Sequence, residues 1–239
     1  TTTSTTTSTT TLLSKCIGQW DFDHAASSYP DQDLTDEDPT YTINDGALYW
    51  TNDNGGYLVF PNKSGSDLSL IADGNTTFAR LNGDDDFAVS LWLYSTNAAA
   101  DGNHKQAFTH SLGGSDRFRI GTGQGGVNWN ELGAGWYNGS SPYANRNEQD
   151  VPSGVWMHIV ANFHGPYNGS DPTNIQFFIN ATNHNHNDAI SSTWGAVGDR
   201  IGDNTASTAD QGWRGFIDEL AIFNDTLTTQ DMYYLYNRT

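Results

Sequence analysis

Carboxylate side chains are the first residues in this chain that could do chemistry, because two carboxylates that flank a glycosidic bond can hydrolyse it. Two carboxylates at an even spacing along one strand would lie on the same face and could form such a pair. The chain has four glutamates, Glu37, Glu131, Glu148 and Glu219, and they are far apart in sequence. Glu219 has one acidic neighbour, Asp218, but alternation along a strand predicts that these two side chains point to opposite faces. The sequence therefore predicts no catalytic residue.

Histidines and a run of aspartates are candidates for metal binding. His184 and His186 are separated by one residue, so a strand would place both imidazoles on one face, which suits Zn²⁺ or Cu²⁺. No third ligand accompanies them, and the neighbouring asparagines indicate an exposed loop. Asp84–Asp86 is flanked by glycine and is expected to be a solvated turn. His158 lies inside an apolar segment and is expected to be packed and hydrogen-bonded rather than a ligand.

A loop rich in glycine and aromatic residues, Gly125–Tyr143, is the best candidate for binding a sugar. It contains Trp129, Trp136, Tyr137 and Tyr143. Exposed aromatic rings can stack on the rings of a sugar. The same residues would also suit packing beneath a long loop or a contact surface for another protein. The sequence leaves these three interpretations open.

Charge and composition exclude several partners. The chain has 239 residues, with 28 acidic and 10 basic side chains, a net charge of −18 and a pI near 4.3. Nucleic acids and anionic membranes bind basic surfaces, so both are poor partners for this chain. No apolar run approaches the ~18 residues that a membrane-spanning helix needs. Asp, Asn and Gly are abundant while Glu, Lys and Leu are scarce, which is typical of an all-β domain with long loops.

Short apolar segments separated by Gly, Asn and Asp turns predict a series of β-strands. In Phe87–Tyr94, large apolar residues alternate with other types, as expected for a sandwich strand with one face in a core. The predicted strands are Ile17–Phe22, Ala47–Trp50, Tyr57–Phe60, Leu68–Ile71, Phe87–Tyr94, Gln106–His110, Arg117–Thr122, Val155–Phe163, Ile175–Asn180 and Phe216–Phe223. Only the end of the chain predicts a helix, where Thr228 and Asp231 have the spacing of a capping box. We therefore predict a β-sandwich with a short C-terminal helix.

Five segments form a recognisable series along the chain: Asp86–Leu93, Val155–Ala161, Ile175–Asn180, Ile201–Gly202 and Phe216–Phe223. In sequence and order they resemble the strand motifs of laminin-G-like domains of the concanavalin A-like lectin and glucanase superfamily. The first resembles the family's d-F-t-i-s-a-W-v strand and the second its W-h-h-v-a strand, while Ala181 stands where the family usually has Gly. The resemblance implies an all-β jelly-roll sandwich of two antiparallel sheets over residues 16–239. The threonine-rich composition before it predicts an extended tail of residues 1–15.

The resemblance also bears on activity and on metal binding. Members include sugar-binding lectins, polysaccharide hydrolases, adhesion modules and structural domains, so the fold alone does not fix the function. The E-x-D-x-x-E strand of laminarinase-type members is absent from this chain. The family often holds a structural Ca²⁺ near the chain ends, and Asp218 matches the aspartate that the last strand contributes. Asp21, Asp23, Asp31 or Asp33 could complete the oxygen ligands that Ca²⁺ requires.

Seven Asn-x-Ser/Thr sequons favour an extracellular protein that carries covalent glycans. They lie at Asn62, Asn75, Asn138, Asn168, Asn180, Asn224 and Asn237. Several of them are also ordinary turn sequences, which is the alternative interpretation. The chain begins with Thr1 rather than Met, so we expect a processed form. The single cysteine, Cys16, is either a small buried hydrophobe or half of an intermolecular disulfide.

The first eleven residues are nine threonines and two serines, with no side chain that could drive burial. Branching at Cβ favours an extended chain. We expect this tail to dock on a neighbouring subunit or to carry dense O-glycans, and the alternative interpretation is a flexible linker. The assembly residues predicted in it are Thr1, Thr5, Thr9, Leu12 and Leu13.

Three functions follow from these features. The leading hypothesis is a non-enzymatic, extracellular structural subunit that assembles into a surface filament or array of identical subunits through its tail. The alternative is a carbohydrate-binding, lectin-like module whose cofactor could be a structural Ca²⁺. An enzyme that degrades polysaccharides ranks third, because the expected carboxylates are missing.

Overall fold

The computed structural model shows a chain built mainly from β-strands. It describes residues 12, 14–20, 42–44, 49–51, 57–60, 69–71, 85–96, 105–111, 116–122, 131–138, 143–165, 175–184, 186–189, 200–202 and 213–237. The strands are β1 (Cys16–Trp20), β2 (Thr42–Asn44), β3 (Tyr49–Thr51), β4 (Tyr57–Phe60), β5 (Ser69–Ile71), β6 (Phe87–Ser95), β7 (Gln106–Ser111), β8 (Asp116–Thr122), β9 (Glu131–Asn138), β10 (Tyr143–Asp150), β11 (Trp156–Phe163), β12 (Ile175–Ile179), β13 (Thr182–Asn183), β14 (His186–Ala189), β15 (Arg200–Ile201) and β16 (Gly215–Phe223). A C-terminal helix, α1, spans Thr229–Tyr236.

The described strands form two antiparallel sheets of eight strands each. Sheet A has the order β13-β12-β11-β6-β16-β4-β3, and β1 pairs with β16. Sheet B has the order β14-β10-β9-β8-β7-β15-β5-β2. Many neighbours in each sheet are distant in sequence, so the chain crosses repeatedly from one sheet to the other. This architecture confirms the predicted all-β jelly-roll sandwich with a short C-terminal helix.

The hydrophobic core lies between the two sheets. On β6, Phe87, Leu91 and Leu93 face inward and are 2%, 0% and 0% exposed. Phe87 stacks on Phe163 of β11 with ring centroids 4.4 Å apart, and Phe118 of sheet B meets Phe163 edge-on at 3.9 Å. Each such buried side chain contributes about 2 kcal/mol of transfer free energy. The inward face of β6 is the one that the alternation in its sequence predicts.

Helix α1 packs on the outer face of sheet A. A second apolar cluster lies there, made of Leu12, Ala88, Val160, Phe178, Ala181, Ala221, Phe223, Leu227 and Met232. The Asn162 side chain holds the segment before the helix, because it donates to the Leu227 carbonyl at 2.9 Å and accepts from the Leu227 N–H at 3.0 Å. Thr228 and Asp231 form the predicted capping box. These contacts fix where the beginning of the helix lies on the sheet.

The sequence predicts a loop at Gly125–Tyr143, but the structure has strands in this segment. Residues Glu131–Asn138 form β9, and Tyr143 begins β10. Gly133 and Gly135 interrupt the apolar pattern of β9, so its sequence alone does not read as a strand. Pairing with β8 on one side and β10 on the other supplies the backbone hydrogen bonds. Strand formation here depends on the neighbouring strands more than on local propensity.

Candidate functional site

Three aromatic side chains lie side by side on the outer face of sheet A. Phe216 of β16 pairs with Tyr94 of β6, and Tyr94 pairs with Trp156 of β11, so the three residues occupy one register row. The rings of Tyr94 and Phe216 stack at 4.9 Å, and those of Tyr94 and Trp156 meet edge to face at 5.5 Å. All three residues are only partly buried. We call Phe216, Tyr94 and Trp156 the aromatic row.

The next row on this face combines an acid, an indole and an imidazole. Asp218 pairs with Trp92, and Trp92 pairs with His158. Because residues on one face of a strand are two positions apart, Trp92 lies about 7 Å along β6 from Tyr94. Tyr236 of α1 stacks on Trp92 at 5.7 Å and lies 6.2 Å from the ring of His158. The last turn of α1 therefore borders this second row.

A β-bulge in β16 brings Glu219 to the same face as Asp218. The register with β6 shifts between Asp218 and Ala221, and Glu219 has a φ of +46°. Ile217 and Leu220 both face the core and are 0% exposed, so the inward positions change from odd to even numbers across the bulge. The prediction that the two acids lie on opposite faces is therefore wrong, because a bulge inserts one residue into the strand alternation.

A small polar pocket opens between the second row and α1. Its lining residues are Gln19, Ser90, Trp92, His158, Glu219, Ala221 and Leu235. The pocket has about 290 Å³ of empty space when its open mouth is counted, but its interior holds only about one water molecule. Gln19 Nε2 donates a hydrogen bond to Glu219 Oε2 at 3.2 Å. We call this feature the Glu219 pocket.

His158 lines the Glu219 pocket and is neutral at physiological pH. It is 1% exposed, and burial lowers its pKa from 6.5 to about 4 because a charged imidazole would lose its hydration. Its Nε2 lies 2.8 Å from Ser90 Oγ, and its backbone N–H donates to Asn180 Oδ1 at 2.9 Å. Its Nδ1 is buried without a hydrogen-bond partner. These contacts confirm that His158 is a packed and hydrogen-bonded residue, and they leave one ring nitrogen that a ligand could bind.

The aromatic residues that the sequence selected for sugar binding lie on or near two paired strands. Trp129 lies outside the described residues. Trp136 and Tyr137 belong to β9, and Tyr143, the first residue of β10, pairs with Trp136. Their role in sugar binding stays a prediction.

The predicted metal ligands are brought together only in part. Asp218 Oδ1 accepts a hydrogen bond of 2.8 Å from the Glu219 N–H. The other predicted calcium ligands lie outside the described residues: Asp21, Asp23, Asp31 and Asp33. Over the described ranges, no group of three His, Cys, Asp or Glu side chains could hold a metal ion. The structural Ca²⁺ stays a prediction.

The His184 and His186 pair does not share one strand. His184 follows β13 in sheet A, whereas His186 begins β14 in sheet B. Burial lowers the pKa of His184. The one-residue spacing therefore does not give the shared strand face on which a Zn²⁺ or Cu²⁺ site would depend.

Three of the predicted glycosylation sites are exposed in the structure. Asn180 lies at the turn between β12 and β13 with a φ of +50°. Asn224 directly follows β16, and Asn237 directly follows the last residue of α1. Asn138 is the last residue of β9. The other sequons lie outside the described residues: Asn62, Asn75 and Asn168. Glycosylation of all seven stays a prediction.

Most of the N-terminal tail lies outside the described residues, including Thr1, Thr5, Thr9 and Leu13. Leu12 is 4% exposed and packs in the second apolar cluster, so its side chain is buried against the chain's own sheet. Cys16 is partly buried, and its Sγ donates to the Gly18 carbonyl at 3.4 Å. Assembly through the tail stays a prediction, and in this arrangement Leu12 is not presented to a neighbouring subunit.

The fold places the chain in a known superfamily. A laminin G family model, described as the concanavalin A-like lectin/glucanases superfamily, matches residues 52–232. The chain therefore belongs to this superfamily, as the order of its strand motifs predicts. A search of curated proteins finds no match. Among the helical residues that the structure describes, no segment has the length and apolar character needed to cross a membrane.

Several solved structures have the same fold. Domain 4 of AbnA, a GH43 extracellular arabinanase from Geobacillus stearothermophilus in complex with arabinotriose, is 18% identical with a TM-score of 0.63, over 93% of this chain and 98% of that chain. A structure of botulinum neurotoxin type C, whose cell entry depends upon interaction with two ganglioside molecules, is 12% identical with a TM-score of 0.57. The match covers 96% of this chain and 52% of the toxin chain. The binding domain of botulinum neurotoxin DC in complex with rat synaptotagmin II is 12% identical with a TM-score of 0.58, over 95% of this chain and 52% of that chain. This chain thus spans about half the length of the two toxin chains, and likeness at these identities concerns the fold.

Proposed function

We propose that this chain is a glycan-binding module that holds a sugar against the aromatic row of sheet A. Binding sites for small molecules combine aromatic surface with a few polar groups that fix orientation. Here the aromatic row supplies the surface, and the carboxylates of Asp218 and Glu219 supply acceptors for sugar hydroxyls. The observation that carries the proposal is the alignment of Phe216, Tyr94 and Trp156 in one partly exposed row.

Two further facts support this proposal. Folded monomers rarely leave a contiguous apolar patch on their surface unless the patch binds something. The aromatic row is a partly exposed patch of this kind. In addition, a domain with this fold was solved in complex with arabinotriose. A rigid sheet also holds the rings in place, so little conformational entropy is lost when a ligand binds.

The proposed module binds without hydrolysing its ligand. Glycoside hydrolysis needs two carboxylates on either side of the scissile bond, separated by about 5 to 9.5 Å. Asp218 and Glu219 do share a face, so their placement alone does not exclude this chemistry. However, the sequence lacks the E-x-D-x-x-E strand that laminarinase-type members of the superfamily use, and this absence favours binding without hydrolysis.

We also propose that the module acts outside the cell. The exposed sequons at Asn180, Asn224 and Asn237 are accessible to N-glycosylation. Extracellular glycans are then the ligands that the aromatic row meets. Mass spectrometry of the native protein, before and after enzymatic removal of N-glycans, tests this location, and unmodified asparagines at all three positions would contradict it.

The test of glycan binding is a glycan array followed by calorimetry on the ligand with the strongest response. Trp156→Ala and Tyr94→Ala should each weaken binding about tenfold or more, because truncating an aromatic anchor at the centre of a binding surface costs about 1 to 2 kcal/mol or more. Tyr234→Ala is the matched control, since Tyr234 is a 37% exposed aromatic on α1 that lies outside the row. A silent array, or equal losses for the row variants and the control, would reject the proposal. Hydrolysis of the bound glycan that stops in Glu219→Gln would show that the module is an enzyme instead.

A further inference from the structure

We propose that the Glu219 pocket receives a protonated amino group, so that the module prefers amino sugars to neutral or acidic sugars. This inference rests on the proposed function, because it assigns the class of sugar that the aromatic row holds. The pocket lies on the same face as the row, about 7 Å along β6 from it. A sugar chain that stacks on the row can therefore place a substituent of one of its rings in the pocket.

The size of the pocket selects a small group. Its interior holds about one water molecule, which excludes a sugar ring, a carboxylate with its hydration, or an N-acetyl group. A primary ammonium group is a compact charge with three hydrogen-bond donors, and it is similar in size to a water molecule. The open mouth leaves space for the carbon atoms that carry this group.

Two of the lining residues, Glu219 and His158, offer hydrogen-bond acceptors. The Glu219 carboxylate is negatively charged, and its Oε2 accepts a hydrogen bond from Gln19 Nε2. His158 lines the pocket with an Nδ1 that has no partner, although the side chain is almost fully buried. That nitrogen offers a lone pair when Nε2 carries the proton and donates to Ser90 Oγ. An ammonium group would satisfy this buried atom, whose unmade hydrogen bond otherwise costs about 1 to 3 kcal/mol.

The charges around the pocket favour a cation and disfavour an anion. Among its seven lining residues there is no Lys or Arg, and His158 is uncharged above a pH of about 4. Asp218 adds a second carboxylate in the neighbouring row. Trp92 and Tyr236 stack at the rim, and aromatic faces attract cations by about 0.5 to 2 kcal/mol. Uronic and sialic acids would be repelled by the same two carboxylates.

The experiment compares two trisaccharides by calorimetry, the fully deacetylated glucosamine trimer and the N-acetylglucosamine trimer, at mildly acidic pH. They share one sugar backbone and differ at the nitrogen, which is a charged amine in the first and a neutral, bulkier acetamide in the second. The amine trimer should bind about tenfold tighter or more, because a charged hydrogen bond contributes about 1.5 to 3 kcal/mol. Glu219→Gln should lower the affinity for the amine trimer about tenfold or more and the affinity for the acetylated trimer by much less, so that the preference is lost. The melting temperature of this variant should equal that of the wild type.

Asp225→Asn is the matched control, because it removes one negative charge at a distance from the pocket, where Asp225 pairs with Lys15. Equal losses in Asp225→Asn and Glu219→Gln would show general attraction to an acidic chain and overturn the inference. Trilysine is a second probe, and Glu219-dependent binding of it at the affinity of the amine trimer would overturn the assignment to a sugar. If both trimers bind equally, or if arabinotriose binds and neither trimer does, the inference fails while the proposed function stands. If no glycan binds, both fail.

Discussion

Glu219 lies on the same face of sheet A as Asp218, although the two residues are adjacent along β16. The bulge that causes this holds Glu219 at a φ of +46°, a backbone conformation that costs about 1 kcal/mol or more for a residue with a side chain. Bulges of this kind often re-aim a side chain next to a functional site. The strained backbone at Glu219 can therefore be tested separately from the role of its carboxylate.

Two substitutions at Glu219 separate the backbone from the side chain. Both Glu219→Gly and Glu219→Ala remove the carboxylate and its hydrogen bond to Gln19, but only glycine adopts a positive φ without strain. We expect Glu219→Gly to be more stable than Glu219→Ala by about 1 kcal/mol. Urea unfolding monitored by tryptophan fluorescence measures the difference. Equal stabilities would show that the bulge is not strained.

Two glycines that both approach Tyr94 test how the aromatic row is positioned. Gly215 has a φ of +145°, and a Cβ there would overlap the backbone carbonyl of Tyr94. Gly154 has a φ of +79°, and a Cβ there would lie 3.6 Å from the Tyr94 hydroxyl, an ordinary contact. We expect Gly154→Ala to cost about 1 kcal/mol, and Gly215→Ala to cost about 3 kcal/mol because β6 or β16 must move.

The glycine variants should also differ in ligand binding. Gly215→Ala displaces the backbone that carries Phe216 and Tyr94, so it should weaken glycan binding even at a temperature where the variant stays folded. Gly154→Ala should bind as the wild type does. Calorimetric binding together with thermal unfolding checks both variants, and a Gly215→Ala protein with normal stability would contradict the close approach of β16 to β6.

The buried His158 predicts a specific dependence of stability on pH. Its pKa is lowered from 6.5 in the unfolded chain to about 4 in the folded protein. The unfolded state therefore binds a proton more readily, and the folded state loses stability as the pH falls from about 6.5 towards 4. Between about pH 7.5 and pH 5, this group should account for a loss of about 2 kcal/mol.

A variant without the imidazole isolates this effect from the carboxylates, which titrate in both proteins. His158→Gln keeps a polar group near Ser90 but does not titrate, so its unfolding free energy should fall by about 2 kcal/mol less over the same pH range. Denaturant unfolding at both pH values gives the four free energies. If the wild type and the variant have the same pH dependence, His158 is not protected from protonation in the folded state.

Much of the fold could be predicted from the sequence because the central strands have strong patterns. Tyr57–Phe60 has the same bounds in prediction and structure, and the predicted Phe87–Tyr94 differs from β6 by one residue. The capping box at Thr228 also appears as predicted. These features depend on side-chain periodicity and local hydrogen bonds, which a sequence shows directly.

The candidate site was harder to predict, because it depends on which strands are neighbours and on one bulge. Tyr94, Trp156 and Phe216 are far apart in sequence, and only the pairing of β16 with β6 and of β6 with β11 brings them into one row. The sequence instead directed attention to Trp136 and Tyr143, where aromatics are close together along the chain. The alternation rule also failed at Glu219, since nothing in the local sequence marks the bulge.

The most direct test of glycan binding at the aromatic row is a titration followed by NMR of the tryptophan indole N–H groups. The ligand is the glycan with the strongest array response, and Trp→Phe variants assign the signals of Trp92, Trp129, Trp136 and Trp156. We expect the signals of Trp156 and Trp92 to shift in a saturable manner, because one lies in the row and the other at the Glu219 pocket. Shifts confined to Trp129 or Trp136 would contradict this account and place the glycan on the segment that the sequence first suggested.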